Sequence, residues 1–340
     1  MTDSSPSAAQ GRPKPASAPL GGSEPREAGS VGAHVRSAQD RSRPASAPSG
    51  GSAPDAIGSV GAPVPYVLHL ADNAVVLGQR NAEWCGHGPI LEEDLALANN
   101  SLDLIGQARL LYQHAATLIN ADPALVQRFT HLQGARVNGQ ITEDTLAYFR
   151  DTAEFRNHTL MELPHHGALV GYAVAERDYA TTIARNFLFS ALMVLVWDRL
   201  KLSADAQLAG IAAKSLKEVR YHLRHASDWL VRFGDGTDES KQRAQAALDH
   251  LLPYCEAFWS ANPAEAAAVA SGTGVCVADL RDDWNAIVNE TLLEASLVRS
   301  DTKPHQGYVA QGHVGLHSEH LGFLLAEMQS LARAHPQATW

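Results

Sequence analysis

Apolar residues recur at three- and four-residue steps through most of this 340-residue chain, a spacing that predicts α-helices. The clearest example lies between residues 91 and 112. Its apolar positions are Leu91, Leu95, Ala98, Leu102, Ile105 and Tyr112. We expect this row to face a core, and a polar row of Asn99, Asp103 and Gln107 to run beside it.

The same spacing gives about eight helices in all, whereas no convincing alternating strand is found. The other predicted helices cover Tyr66–Arg80, about Thr142 to Pro164, Asp178–Leu200, Asp205 (as the cap) to the glycine turn Gly234–Gly236, Ser240–Ser260 with a kink or break at Pro253, Asp279–Leu297 and Leu316–Arg333. The helix from Asp178 is apolar almost all round, as expected at the centre of a bundle. Its longest apolar stretch, Phe187 to Trp197, is too short to span a bilayer. The fold class predicted is all-α, an antiparallel helical bundle with extra helices.

The N-terminal region has a different composition. Residues 1–62 contain 41 Ala, Ser, Gly or Pro and no Phe, Tyr or Trp. They also contain most of a duplication, because Pro15–Val35 and Pro44–Val64 are identical at 15 of 21 positions. Such a segment buries too little apolar surface to offset the entropy of ordering it. We therefore predict a disordered tail over residues 1–64 and one helical domain over residues 65–340.

Charge and cysteine usage narrow the class of protein. Outside the tail, 21 Lys and Arg stand against 32 Asp and Glu, a net charge of −11. This balance argues against a nucleic-acid partner and against an anionic membrane surface. The three cysteines, Cys85, Cys255 and Cys276, share no metal-ligand spacing, and their odd number argues against a disulfide framework. We expect a soluble cytoplasmic protein.

Two segments come close to a metal-binding motif. In four-helix proteins that hold two irons, two helices each supply Glu-x-x-His and two each supply a Glu. Here Glu154 and Glu218 are followed at the third position by Asn157 and Tyr221. The histidines, His158 and His222, come one residue later, which turns each imidazole by about 100° around a helix. The spacing therefore predicts a diiron architecture with an incomplete ligand set.

The possible ligands are few even when every helix is searched. Asp103 is the only acid well inside its helix, so Asp103, Glu154 and Glu218 make three carboxylates, where two irons need about four carboxylates and two imidazoles. One interpretation is an ion-pair network in the place of a metal, with the nearby Arg156, Arg220 and Arg224 as counter-charges. A second is a working metal site that uses His158 and His222, since an i, i+4 Glu–His pair shares a helix face. A third is that these residues are solvated surface.

Several ungapped motifs carry a family resemblance. The residues that stand out in them are Glu83, Trp84, Cys85, Gly86 and His87, then Asp103, Gln107 and Arg109, then Glu218, Arg220, Tyr221 and His222, and finally His317, Glu319 and His320. From about Pro65 to Trp340 the chain resembles the C subunit of the bacterial phenylacetyl-CoA epoxidase family. The tail lies outside the resemblance.

The resemblance implies a ferritin-like subunit of a multicomponent monooxygenase. In that family the A subunit holds the diiron centre and binds phenylacetyl-CoA, whereas the C subunit pairs with it and lacks a working metal site. Small B and D components and a reductase with FAD and an iron–sulfur centre complete the system. The complex forms the ring 1,2-epoxide with O2 and NADPH.

Two hypotheses of function follow. The first is a non-catalytic structural subunit that binds no cofactor itself and stabilises the homologous diiron subunit. The alternative is an oxygenase or oxidase in its own right, with Glu154, His158, Glu218, His222 and Asp103 around iron. A metal or cofactor store is a third and weaker hypothesis, because the ligands are few.

Overall fold

The computed structural model describes residues 63–166, 177–260, 262–300 and 310–338. Within these ranges the chain is helical, without a strand, which confirms the predicted all-α class. The helices are α1 (Pro63–Ala82), α2 (Leu91–Ala121), α3 (Pro123–Arg128), α4 (Glu143–Tyr148), α5 (Thr159–Glu162), α6 (Tyr179–Leu200), α7 (Ala206–Asp235), α8 (Asp238–Cys255), α9 (Pro263–Ala270), α10 (Arg281–Glu294) and α11 (Glu319–Ala334). The predicted tail falls outside the described residues, except that Pro63 and Val64 begin α1.

Two long helix pairs form the bundle. The largest interfaces join α1 to α2 and α6 to α7, and α2 also packs on α7. The first pair is antiparallel, because Tyr112 bonds to Asp72 whereas Ser101 bonds to the carbonyl of Gly78. The shorter helices pack around this frame, with α8 and α10 against α6 and with α11 against α1 and α4.

Helix α6 is the central helix of the bundle. Asp178 caps its first turn by accepting the N–H of Ala180. By length and composition alone α6, which extends beyond the apolar stretch Phe187–Trp197 at both ends, could cross a membrane. However, 89% of its most apolar window is buried inside the protein. Its apolar surface is therefore satisfied by the neighbouring helices.

The predicted bounds of α7 are confirmed, and the predicted break in α8 is displaced. Asp205 caps α7 by accepting the N–H groups of Gln207 and Leu208. Helix α7 ends at Asp235, within the predicted glycine turn. Helix α8 continues through Pro253 to Cys255 and then changes to a 3-10 turn, so the proline lies at the end of the helix rather than at a break in its middle.

The prediction that the apolar row from Leu91 to Tyr112 faces the core is wrong for its three leucines. Leu91, Leu95 and Leu102 are 71%, 56% and 67% exposed. The buried face is formed instead by a second row at helical spacing, whose large apolar members are Leu97, Leu104, Leu111 and Ile119, together with Tyr112, the last member of the predicted row. Helix α2 thus carries two apolar rows on different sides, and periodicity cannot decide which of them faces the core.

The helix predicted to carry Glu154 is also wrong. Helix α4 ends at Tyr148, Glu154 lies in a 3-10 turn, and His158 directly precedes α5. The extended backbone between them is satisfied by side chains of α1. Asp72 accepts the N–H of Arg156 at 2.8 Å, and the side-chain oxygen of Asn73 accepts the N–H of His158 at 2.8 Å. These N–H groups therefore need no helix to be paired.

A buried ion pair holds this extended segment to α1. Asp72 and Arg150 are both fully buried, and the Arg150 guanidinium donates to both carboxylate oxygens. The Tyr112 hydroxyl donates to the same carboxylate at 2.6 Å. Burial, reinforced by the charge of Asp72, raises the pKa of Tyr112 well above its ordinary value, so the hydroxyl keeps its proton.

We predict that Arg150→Met destabilises the protein severely, because it leaves the Asp72 carboxylate buried without its cation. The expected loss is roughly 3–5 kcal/mol in the free energy of unfolding. Urea denaturation monitored by circular dichroism measures it. Arg109→Met is the control, since Arg109 forms an exposed pair with Glu143 and should cost no more than about 1 kcal/mol. Equal effects of the two substitutions would contradict the prediction.

Candidate functional site

A diiron site would need ligands that converge from the four long helices, whereas between α1 and α6 two buried amides bond to each other. Asn81 of α1 and Asn186 of α6 exchange two side-chain hydrogen bonds of 2.8 and 2.9 Å. Both amides are buried. Asn100 of α2 and Ser215 of α7 are buried in the same bundle, each with a side-chain oxygen that has no partner among the described residues.

These residues do not fit a diiron centre. Such a centre needs anionic carboxylates and imidazoles converging from four helices, whereas amides and hydroxyls supply no negative charge to balance the two metal ions. Across the described part of the chain, no three His, Cys, Asp or Glu side chains come together in a group able to hold a metal. The bundle is instead held by amide-to-amide hydrogen bonds at this level.

Two of the predicted carboxylates lie on the α2–α7 seam. Asp103 is 3.0 Å from the Nε2 of His222, and the Gln107 amide donates to Glu218 at 3.0 Å. The two residues on each helix are four positions apart, and their order along α2 is the reverse of their order along α7. The two contacts are therefore successive steps along one antiparallel interface, the α2–α7 seam. Glu218 also pairs with Lys214 at 3.2 Å. Asp103 and Glu218 therefore each have a hydrogen-bond or ion-pair partner of their own.

The seam continues towards both ends of α2. Glu93 is 2.9 Å from the Nε2 of His225 and accepts the Tyr179 hydroxyl, and His114 is 2.6 Å from Asp205. Histidine–carboxylate pairs thus join α2 to α7 and its cap at three levels. The pair that His222 forms is one of these, so this histidine has a structural use that differs from metal binding.

The third carboxylate lies elsewhere. Glu154 accepts from His131 at 2.7 Å and from the N–H of Asp151 at 2.8 Å, on the outside of the extended segment. Asn157, at the position where a ligand histidine would stand, donates to Glu162 at 3.0 Å. The alternative metal site is therefore not assembled, because Glu154 and His158 lie outside the helix on which the prediction placed them.

His158 is packed among other rings rather than aimed at a carboxylate. Its ring meets His69 edge-on at 4.9 Å between centroids, and Phe258 at 4.9 Å. Burial lowers the pKa of His158 well below its ordinary value, and the neighbouring His69 lowers it further. The imidazole is therefore neutral and contributes to the core.

The three arginines considered as counter-charges do not form one network. Arg156 donates to the carbonyls of Ala153 and Phe155. Arg220 is exposed and lies 3.8 Å from Asp198. The Arg224 guanidinium lies over the ring of Tyr221, which is itself 43% exposed. The predicted ion-pair network is therefore wrong for these three residues.

The motif at the end of α1 builds a buried polar cluster. Glu83 pairs with Arg80 at 2.6 Å and with His165 at 3.2 Å. The Trp84 indole N–H lies 2.9 Å from the Thr182 hydroxyl and 3.1 Å from the Nδ1 of His165. These contacts join α1 to the start of α6.

The hydrogen bonds fix the state of His165. Its Nδ1 faces N–H donors from Trp84 and Arg185, so that nitrogen must be the acceptor. The proton is then on Nε2, which donates to the carbonyl of Arg80 at 2.8 Å. Burial lowers the pKa of His165 to about 4, so the ring is neutral at pH 7.

The rest of that motif forms a turn. Gly86 has a φ of +78°, which favours glycine, and its N–H donates to Asp94 at 2.7 Å. Cys85 is an exposed free thiol, and no hydrogen bond joins it to an acid or base of the described chain. His87 lines a groove beside Pro89 and Trp229. The turn thus leads from α1 into α2 and carries no arranged nucleophile.

The C-terminal motif surrounds a buried carboxylate. His317 lies 2.8 Å from Glu162, whose other oxygen accepts the N–H of Ser318 at 2.6 Å. The second ring nitrogen of His317 is 3.0 Å from the carbonyl of Phe155. The motif therefore fastens α11 to the extended segment.

The other two residues of the C-terminal motif have minor roles. The carbonyl of His320 accepts from Arg80 at 3.2 Å, which ties the start of α11 to α1. Glu319 is exposed in the first turn of α11, where a negative charge favours the helix dipole.

A family comparison agrees with these motifs. The family model described as phenylacetic acid catabolic protein matches residues 58–340. The chain belongs to this family. The C subunit of the 1,2-phenylacetyl-CoA epoxidase of Escherichia coli (strain K12) is 41% identical over 275 residues, which are 81% of this chain and 98% of that protein. The resemblance inferred from the motifs is confirmed.

Three buried charges of this family member escaped the sequence analysis. Asp72, Arg150 and Glu162 each organise a cluster, yet no motif singles them out. A signal was present for two of them. Asp72 interrupts a long apolar run in α1, and Glu162 stands between Met161 and Leu163. A lone acid inside an apolar run predicts a buried, paired carboxylate.

We predict that Glu83 makes the protein sensitive to acid. Burial alone would raise its pKa, but the hydrogen bond with His165 and the charge of Arg80 lower it to about 2. A carboxylate with a lowered pKa in the folded state stabilises the fold above its unfolded pKa, and this contribution is lost as the pH falls from about 4.5 towards 2. It amounts to up to roughly 3 kcal/mol at neutral pH.

Urea unfolding at a series of pH values tests this prediction. Glu83→Gln should lower stability at pH 7 and flatten its dependence on pH below 4.5. Glu327→Gln, which changes an exposed acid on α11, should keep the wild-type slope. The neutral His165 adds a separate loss as the pH falls from 6.5 towards about 4, and Glu83→Gln extends this loss to lower pH because Glu83 raises the pKa of His165. An unchanged slope in Glu83→Gln would contradict the assignment.

Proposed function

We propose that this chain is a non-catalytic structural subunit of a multicomponent phenylacetyl-CoA 1,2-epoxidase, paired with a homologous diiron subunit. Membership in the family of phenylacetic acid catabolic proteins supports a role in phenylacetate catabolism. The proposal assigns the diiron centre to the partner, and FAD and an iron–sulfur centre to a reductase component. This chain, a cytoplasmic protein in the proposal, binds none of these groups.

The observation that carries the proposal is that the candidate metal ligands are engaged in contacts with other protein groups. Asn81 and Asn186, both buried between α1 and α6, bond to each other. Asp103 and Glu218, which were candidate ligands, are engaged on the α2–α7 seam. A fold of this kind can support a neighbour rigidly without performing the oxidation itself.

The exposed row of α2 supports a paired state. Leu91, Leu95 and Leu102 lie on one side of the helix, away from its buried face. Ala98 and Gly106 lie between and beyond them, and a Cβ built on Gly106 would meet nothing within 4 Å. A row of large and small residues of this kind suits close packing of a partner helix. Burying each leucine is worth about 1.5–3 kcal/mol.

A different chain fits this face better than a second copy does. Residues outside the tail carry a net charge of −11, so two copies repel each other. The Escherichia coli relative is named as one subunit of an epoxidase. We therefore assign the row on α2 to the homologous catalytic partner, with a total interface of obligate size, roughly 2,000 Å² or more.

We predict that the catalytic partner requires this chain. Produced alone, the diiron subunit should be poorly soluble or inactive, because displacing catalytic ligands by about 1 Å is enough to lose most of the rate. Adding this chain should restore epoxidation of phenylacetyl-CoA, measured by product formation with the reductase present. A diiron subunit that is fully active alone would refute the support role.

Metal analysis tests the non-catalytic assignment separately. After anaerobic loading with ferrous iron and desalting, this chain should retain less than about a tenth of an equivalent, because its described residues offer no converged set of carboxylate and imidazole donors. Iron bound at one or two equivalents would show a metal site and overturn the assignment even if the two subunits pair.

We also predict that the α2 row is required for pairing. The double substitution Leu95→Glu with Leu102→Glu should abolish co-elution with the diiron subunit, because it places two charges in an apolar contact. Leu202→Glu with Leu293→Glu is the matched control, since these leucines are 84% and 81% exposed on other parts of the surface. Circular dichroism should show unchanged folding in both variants. Normal co-elution of the first variant would exclude this face as the interface.

A further inference from the structure

A small cavity lies between the start of α1, helix α3 and the extended segment after α4. Its volume is about 170 Å³. The apolar part of its wall is formed by Val64, Leu68, Leu125 and Phe129. Apolar cavities of about 150 Å³ are large enough to hold benzene, so this one has room for a single aromatic ring.

The charged part of the wall is unusual for this acidic protein. Three arginines line the cavity, Arg128, Arg150 and Arg156, with His131 and a single acidic residue, Glu154. Each of these groups has to be accounted for before a ligand can be inferred.

The carboxylates are already used. Asp72, which is buried in the core and does not line the cavity, forms an ion pair with Arg150. Glu154 accepts from His131 with one oxygen and from the N–H of Asp151 with the other. Neither acid forms an ion pair with Arg128 or Arg156 in the described part of the chain.

Arg128 and Arg156 are therefore the cations of the wall that a ligand can use. Arg128 ends α3 and is exposed, and its guanidinium bonds to no other described residue. Arg156 uses Nη1 for the carbonyls of Ala153 and Phe155, which leaves Nε and Nη2 without a partner among the described residues. Burial lowers the pKa of Arg156, the charge of Asp72 raises it and the charge of Arg150 lowers it, so a bound anion would add to the stabilisation of its charged form.

We propose that this cavity binds a small carboxylate with an apolar body the size of an aromatic ring. The ring would occupy the apolar wall and the carboxylate would be held by Arg128 and Arg156, since a planar guanidinium matches a carboxylate in shape and charge. A cavity of 170 Å³ is too small for a nucleotide or for a coenzyme A thioester. The inference is independent of the proposed pairing with a diiron subunit.

Phenylacetate is the probe for this class of ligand, because it combines one aromatic ring with one carboxylate. Titrated into the full-length protein and followed by calorimetry and ligand-observed NMR, it should bind saturably at one site. We expect a dissociation constant of about a millimolar or tighter. Phenylacetamide, which has the same shape without the charge, should bind at least about tenfold more weakly.

Substitutions locate the site. Arg128→Gln should weaken phenylacetate binding about tenfold without affecting folding, because the residue is exposed and unpaired in the described structure. Arg156→Gln should weaken it as well. Arg232→Gln, an exposed arginine on the last turn of α7 that does not line the cavity, is the matched control and should leave the affinity unchanged. Thermal melts verify that all three variants fold.

Three results would each overturn the proposal. Absence of saturable phenylacetate binding would exclude the ligand class. Equal binding of phenylacetate and phenylacetamide would show that no cation recognises the carboxylate. Unchanged affinity in both Arg128→Gln and Arg156→Gln would show that any binding occurs elsewhere.

Discussion

The burial of Asp72 in α1 is the constraint on which much of the structure depends. A carboxylate with no access to water must be paired and hydrogen-bonded, or its burial is too costly. Arg150, Tyr112 and the backbone N–H of Arg156 together satisfy it. To reach Asp72, the residues after α4 have to run along α1 as an extended segment.

The path of that extended segment determines which groups surround Glu154 and Glu162. It places Glu154, half-buried, against His131, and it places Glu162 in the core, where His317 and Ser318 bond to it. Because Glu162 holds the start of α11, the position of the C-terminal motif also depends on the path of this segment. The segment also forms one wall of the cationic cavity, through Glu154 and its neighbouring arginines.

A structural feature can be predicted from the sequence when the residues that determine it are close in the chain, and cannot when they are distant. Asp205 predicted the start of α7, since a side-chain oxygen at the first turn satisfies free N–H groups. Periodicity could not choose between the two apolar rows of α2, because the choice depends on where α1 and α7 pack. The sequence pattern also extended helix α4 wrongly to Glu154. The N–H groups beyond that helix donate to Asp72 and Asn73, which lie more than 80 residues earlier in the chain. Local propensity has no access to such partners.

The two faces of α2 connect the stability of this chain to its proposed role. The inner face, with Leu97 and Leu104, is fully used within the bundle. The polar seam with α7 fixes the rotation of the helix, since Asp103 and Gln107 must meet His222 and Glu218. With the rotation fixed, the row that begins at Leu91 has no inward alternative and remains on the surface. The contacts that engage Asp103, Glu218 and His222 thus hold in place the apolar surface that the proposed partner subunit would cover.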